Sequence, residues 1–174
     1  MRWNEIQEEF CSVARTMSVI GDRWTMLILR DCFLGTRRFD DFQKQLRVTR
    51  HLLADRLRKL VAHGVLTKVP YQEKPTRYEY RLTQKGIDLY PIIIGLVQWG
   101  DKYMAGDTQD VPMEYMHTSC GQKTTPTLVC SECQEPIQPK QMRPIATPAL
   151  AAHLDAHPEL KGTAAHKFVM KKPA

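Results

Sequence analysis

At Gly64 the spacing of apolar residues changes period, and few folds place such a change between two short elements. Residues 48 to 64, VTRHLLADRLRKLVAHG, set Leu53, Leu57, Leu60 and Val61 on one stripe of a helix, with Arg50, His51, Asp55 and Arg58 on other faces. Thr49 suits the N-cap and Gly64 the stop. The next stretch, VLTKVPYQEKPTRYEYRL, holds two runs of alternating apolar and polar residues around QEKP, a hairpin whose Pro75 and charges suit an exposed tip.

Shorter helical segments precede this pair. CSVARTMSVI aligns Val13, Met17 and Ile20 on one face, with Cys11 or Ser12 near its N-cap. DRWTMLILRDCFLG starts after Asp22, is apolar almost all round from Trp24 to Leu34, and meets Gly35, which predicts a buried central helix. RRFDDFQKQL gives an amphipathic helix with Phe42 and Leu46 inward. After the hairpin, TQKGIDLYPIIIGLVQWGDKYM returns to helical spacing, with Thr83 as N-cap and Pro91 as a kink or restart.

Helices, then a helix with a basic face, then a two-stranded hairpin describe a winged helix-turn-helix, in which the helix before the wing enters the major groove of DNA. Charge agrees with that topology. Residues 35 to 85 hold 13 basic against 5 acidic side chains, whereas residues 105 to 174 are balanced at 7 against 7. A concentrated positive patch attracts polyphosphate, although charge alone also fits a solvated basic face. The expected DNA-contacting set is Thr49, Arg50, His51, Arg56, Arg58, Lys59, Lys74 and Arg77. Arg50, His51 and Arg58 are the candidates for base edges, since arginine can grip guanine bidentately. Arg56 and Lys59 lie toward the flanks, to touch phosphate or to pack, and Lys74 and Arg77 flank the wing tip, within reach of backbone or minor groove.

The words CSVARTMSVIGDRWTMLILRDCFLGTRRFDDFQKQL, RHLLADRLRKLVAHGVLTKVPY, RYEYRLTQKGIDLYP and LVQWGDKY resemble the HxlR-type winged-helix transcriptional regulators, relatives of the MarR-like group, over residues 11 to 103. Two departures are visible: Cys11-Ser12 stands where the family has Cys-Pro, and a basic TRRF follows Gly35. The resemblance implies a homodimer on a palindromic operator in double-stranded DNA, with a small-molecule or oxidant effector. The residues ask for a partner independently. In the last helix Ile92, Leu96, Trp99 and Tyr103 form one apolar stripe and Ile93, Val97 and Met104 another, more than one domain face can cover. One stripe is expected inward and the other across a two-fold axis, with the first helix contributing and Val97 as the residue to charge. Cys11 matches a sensing thiol in some family members; a small buried hydrophobe is the competing reading.

HTSCGQKTTPTLVCSEC spaces His117 and Cys120, then Cys130 and Cys133, as two knuckles with two residues inside each pair. Thiolates and an imidazole at such spacing suit tetrahedral structural zinc, Gly121 permitting the first turn. Reduced thiols without metal and a disulfide switch are the alternatives. A thioredoxin-like site would need CxxC after a strand and opening a helix, and Pro126 and Pro136 bracket this one instead. Cys32, inside the apolar helix, reads as core.

The expected organisation is therefore mainly α with a small β-wing. Residues 1–106 form the winged helix-turn-helix with dimerising terminal helices, 107–138 a zinc-ribbon-like segment, and 139–174 a mostly flexible tail. In that tail His153, His157 and His166 are expected to be solvated, despite a short helical pattern at PALAAHLDAH. No apolar run approaches the roughly 18 residues of a membrane span, and MRWNEIQEEF lacks the apolar centre of a signal peptide, so a cytoplasmic protein without membrane contact is expected. No Ser/His/Asp set, glycine-rich phosphate loop or open metal triad with a general base points to an enzyme. A protein–protein adaptor built from the same wing and ribbon is the alternative to a DNA-binding regulator; it would not need the basic reader helix.

Overall fold

The computed structural model describes residues 5–105, 110–163 and 166–167. The start of the chain at 1–4, the expected boundary between 106 and 107, and positions 164–165 and 168–174 of the tail lie outside the described residues. Among the described residues no helix is long and apolar enough to cross a membrane.

Helix α1 (Ser12–Ile20) begins after Cys11, whose side chain makes no capping hydrogen bond. Helix α2 (Arg23–Phe33) is capped by Asp22, which accepts hydrogen bonds from the N–H groups of Trp24 at 3.0 Å and Thr25 at 3.1 Å. Helix α3 (Phe39–Leu46) ends at Arg47, in the left-handed region at φ 52°. Thr49 accepts from the N–H of Leu52 and starts α4 (Arg50–Ala62). The link between α3 and α4 is thus three residues, short enough to hold the two helices at a fixed angle.

The core gathers the inward side chains of these helices: Ile20, Ile28, Leu29, Phe42, Leu46, Leu53, Leu57 and Leu60, with Val65, Leu66 and Ile93. Complete burial of side chains such as Phe42 and Leu57 stabilises the fold by about 1.5–3 kcal/mol each. Helix α2 is central, but fully buried only at Thr25, Ile28, Leu29 and Asp31; Met26, Leu27, Cys32 and Phe33 pack around the core while partly open, and Leu34 just beyond the helix is exposed.

Strands β1 (Leu66–Glu73) and β2 (Thr76–Leu82) pair antiparallel from Leu66↔Leu82 to Glu73↔Thr76, with Lys74 and Pro75 at the tip. The register slips between Pro70 and Gln72, so Tyr71 bulges and the Arg38 guanidinium lies 4.5 Å above its ring. Residues before α3 close the other side of the hairpin: the Tyr80 N–H donates to the Arg37 carbonyl at 2.8 Å, and Arg38 bridges Glu79.

The chain then leaves the wing through LTQKG, three of whose letters have a clear physical reason. The Thr83 hydroxyl donates to the Gly64 carbonyl at 2.7 Å and accepts from the Gly86 N–H at 3.2 Å, starting α5 (Gln84–Ile87). The Lys85 ammonium donates to the His63 carbonyl at 2.8 Å. At Gly86 an added Cβ would sit 2.3 Å from the Val65 carbonyl oxygen, so only glycine fits.

Helix α6 (Tyr90–Met104) restarts with Pro91 in its first turn. It corrects the expected direction of the two stripes. Ile93 is buried and Val97 is half-buried against the C-terminal segment, with Met104 of the same stripe 70% exposed at the helix end, whereas Ile92, Leu96, Trp99 and Tyr103 are 40%, 52%, 57% and 60% exposed along its length. The open stripe is the first, and Val97 is the wrong residue to charge.

Beyond α6, β3 (Tyr115–His117) and β4 (Gln122–Thr124) form a short hairpin. Within the described part of the tail, the short helical pattern at PALAAHLDAH is realised. Helix α7 (Pro148–Ala156) forms behind a Thr147 cap and buries Leu154. His153 stacks on Phe10 with centroids 4.5 Å apart, and His157 lies 4.1 Å from His153, so these two rings are half-buried, not solvated. His166 is likewise half-buried. The apolar flanks of PALAAHLDAH find a surface that composition cannot reveal.

Candidate nucleic-acid interface

Helix α4 turns its leucine stripe into the core, and the opposite side carries Arg50, His51, Asp55 and Arg58. Arg50 and Arg58 are 70% and 74% exposed, and Lys74 and Arg77 stand exposed at the wing tip. Thr49 acts first as a cap, and Lys59 is half-buried at the flank of the helix.

Several of these cations already have partners. Arg50 lies along the start of α3, 4.8 Å above the Phe39 ring, and donates to Gln43 at 3.2 Å and Asp40 at 3.4 Å. Arg58 donates to Asp55 at 3.3 Å. Such exposed pairs are weak, about 0–1 kcal/mol, and yield readily to phosphate or a base edge. Arg56 differs: its guanidinium donates to Asp22 at 2.9 Å and 3.2 Å and to Asp55 at 2.6 Å, with about a quarter of the side chain exposed. It therefore packs, tying α4 to the cap of α2. Burial pushes the Asp22 carboxyl up, but the hydrogen bond and charge of Arg56 with the N–H groups of Thr25 and Trp24 outweigh it and hold the group below its ordinary value. Asp55 is counted among the acids of this region, but its role was not legible: an acid at the centre of the outward face, it pairs with both Arg56 and Arg58. The i, i+3 spacing to Arg58 was the available signal.

The five cysteines fall into distinct environments. Cys11 is exposed beside the start of α1. Burial, with the neighbouring Asp31 carboxylate, pushes the Cys32 thiol up to about 12, so it is core and inert. The Cys120 sulfur lies 3.5 Å from His117 Nδ1. Cys130 accepts hydrogen bonds from the N–H groups of Cys133 and Glu132 and from the Cys133 thiol, which hold it below its ordinary value. Each pair is together, but among the described residues no three His, Cys, Asp or Glu side chains are gathered into one metal-binding group.

A helical core that presents α4 beside a two-stranded wing defines a winged helix-turn-helix protein. The profile of the HxlR-like helix-turn-helix family matches residues 19–108, and this chain belongs to that family. It is 41% identical over 143 residues to Rv3095 of Mycobacterium tuberculosis, an HTH-type transcriptional regulator, covering 82% of this chain and 90% of the relative. A match of that length cannot fit within the first 108 residues, so the likeness runs on through the segment containing both knuckles. Among solved structures, PA1607, described as a transcription factor, superposes with a TM-score of 0.70 at 38% identity, over 81% of this chain and 98% of the other. The redox regulator HypR in its oxidised form superposes at 0.50 with 32% identity, over 53% of this chain and 96% of HypR.

Proposed function

We propose that the chain is a sequence-specific, homodimeric DNA-binding transcriptional regulator that reads a palindromic operator. The observation that carries this reading is α4 itself: a helix anchored by three fully buried leucines, with Arg50, His51 and Arg58 on its open side and a cationic wing tip beside it. The family, and the names of the relatives, point the same way.

In this account the N-terminal half of α4 enters the major groove. Arg50 and Arg58 exchange their weak carboxylate partners for base edges, His51 assists, and Thr49, Lys59, Lys74 and Arg77 meet backbone or minor groove. Arg56 does not take part directly; it holds α4 at its angle through Asp22. The exposed Ile92, Leu96, Trp99 and Tyr103 stripe packs against the same stripe of a second copy, an isologous contact whose two-fold axis matches the symmetry of the operator. Exposed Cys11 is the oxidant-sensing thiol, a role that the likeness to HypR supports. Selecting random duplexes against the purified protein tests the reading: an enriched inverted repeat is expected, bound with an affinity that falls steeply as salt rises. Recovery of unselected sequences would contradict it.

A further inference from the structure

Residues 110–138 form an ordered segment with almost nothing apolar to order it. None of its side chains is fully buried, and Val111, Met113, Met116, Leu128 and Val129 all remain exposed. Two-stranded hairpins this short are at best marginal in water without a further cross-link.

The segment contains the same turn twice. In the first, the Gly121 N–H donates to the His117 carbonyl at 2.8 Å with Gly121 at φ 68°. In the second, the Gln134 N–H donates to the Cys130 carbonyl at 3.0 Å with Gln134 at φ 61°. Each turn therefore carries a ligand type at its first and fourth positions and a left-handed residue at its fifth. Gln134 is one of only two non-glycine residues at positive φ among the described residues, a conformation that costs roughly 1–3 kcal/mol and persists where its surroundings demand it. Hairpin pairing flanks both: His117↔Gln122 in the first, and in the second the Val129–Pro136 bridge and the 2.9 Å bond from Cys130 N–H to the Glu135 carbonyl. The turn also aims the N–H groups of Glu132 and Cys133 at the Cys130 sulfur, donors suited to a thiolate. Only Thr125, Pro126 and Thr127 separate β4 from the second hairpin, so the two turns are tethered by a three-residue link.

We propose that one zinc ion per chain takes His117 and Cys120 from the first turn and Cys130 and Cys133 from the second, closing the two hairpins onto each other. Three thiols lose their protons to solvent and the imidazole binds neutral, giving a tetrahedral site of net charge −1. All four positions are filled by protein, so the ion is structural and holds no water for catalysis. Sulfur-rich donors of this kind select zinc over magnesium or calcium.

The experiment uses the full chain, purified under reductant without an affinity tag, dialysed against a chelator and then supplied with zinc or cobalt chloride. About one equivalent of zinc per chain is expected after gel filtration, with cobalt giving the intense visible spectrum of a tetrahedral thiolate site. Zinc should shield Cys120, Cys130 and Cys133 from a thiol reagent, leave Cys11 reactive, and slow tryptic cutting after Lys123 and Lys140. Cys133→Ser and His117→Ala should each reduce retained metal at least tenfold, while Cys11→Ser retains it. The proposal is overturned by less than a quarter equivalent of zinc with a weak octahedral cobalt spectrum. Half an equivalent, an ion shared between two copies, overturns the assignment of one site to each chain. These readings use the native protein, so a variant that fails to fold does not decide the outcome, and none depends on DNA binding.

Discussion

Arg56 and Arg58 sit two positions apart on the same helix, yet their neighbours assign them opposite tasks. Arg58 has one exposed partner and is free to exchange it; Arg56 spans Asp22 and Asp55 and anchors the helix. Replacing Arg58 or Arg50 by alanine should relax base choice at one operator position at a cost of about 1–3 kcal/mol, seen by competition among single-base operator variants. Lys74→Ala should instead weaken all duplexes alike and reduce the salt slope by about one. Asp22→Asn tests the anchor. Since the folded-state carboxyl lies below its ordinary value, its contribution is present above the unfolded value of about 4 and is lost as pH falls through the folded one. Urea unfolding should therefore show the native protein more stable than Asp22→Asn at neutral pH, with the gap narrowing in acid. The sequence made the candidates on α4, Lys74 and Arg77 visible because basic side chains on a polar helix face and at a hairpin tip are easy to find. It did not reveal that Arg56 was already engaged, because Asp22 is distant in sequence and the pairing depends on how α2 and α4 cross.

At the scale of elements, α3, α4 and the wing were legible in detail. Their apolar periods, the Thr49 cap and the tip at Lys74–Pro75 all specify local structure without help from elsewhere. LTQKG was visible as a motif, but its reason is tertiary: α5 crosses the end of β1 so closely that Gly86→Ala must push against the Val65 carbonyl. A loss of about 1–3 kcal/mol in unfolding free energy is expected for that substitution. Helix α6 shows where periodicity stops. Two stripes could be counted, but the choice between inward and outward depended on α2 and on a ribbon whose position no spacing encodes. The exposed stripe makes Leu96→Glu the informative change: sedimentation should show dimers for the native protein and monomers for the variant, and operator affinity should fall at least tenfold, or about 1.4 kcal/mol. A native protein that sediments as a monomer at micromolar concentration would leave that stripe without its partner. The helical pattern of α7 was visible, but the burial of its histidine was not, since His153 finds the Phe10 ring of a segment distant in sequence.

The whole molecule separates positive charge from thiols. The basic excess lies in residues 35 to 85, around α4 and the wing, while the paired cysteines lie beyond α6. Cys11 lies apart from both and adjoins Phe10 in sequence, on whose ring His153 of α7 stacks. An oxidant should change operator affinity in the native protein and leave Cys11→Ser unaffected, with Cys32 unmodified in both because its thiol packs against the core and stays protonated. Equal responses in the two proteins would remove Cys11 as the sensor. The central claim is geometric: two copies, each with one α4 in a major groove, on the same side of the duplex. Hydroxyl-radical footprinting of the selected operator measures that directly. The account predicts two protected patches on one face, with centres about one helical turn or 34 Å apart, both lost in Leu96→Glu at concentrations that saturate the native protein. A single patch, or uniform protection along the duplex, would contradict it.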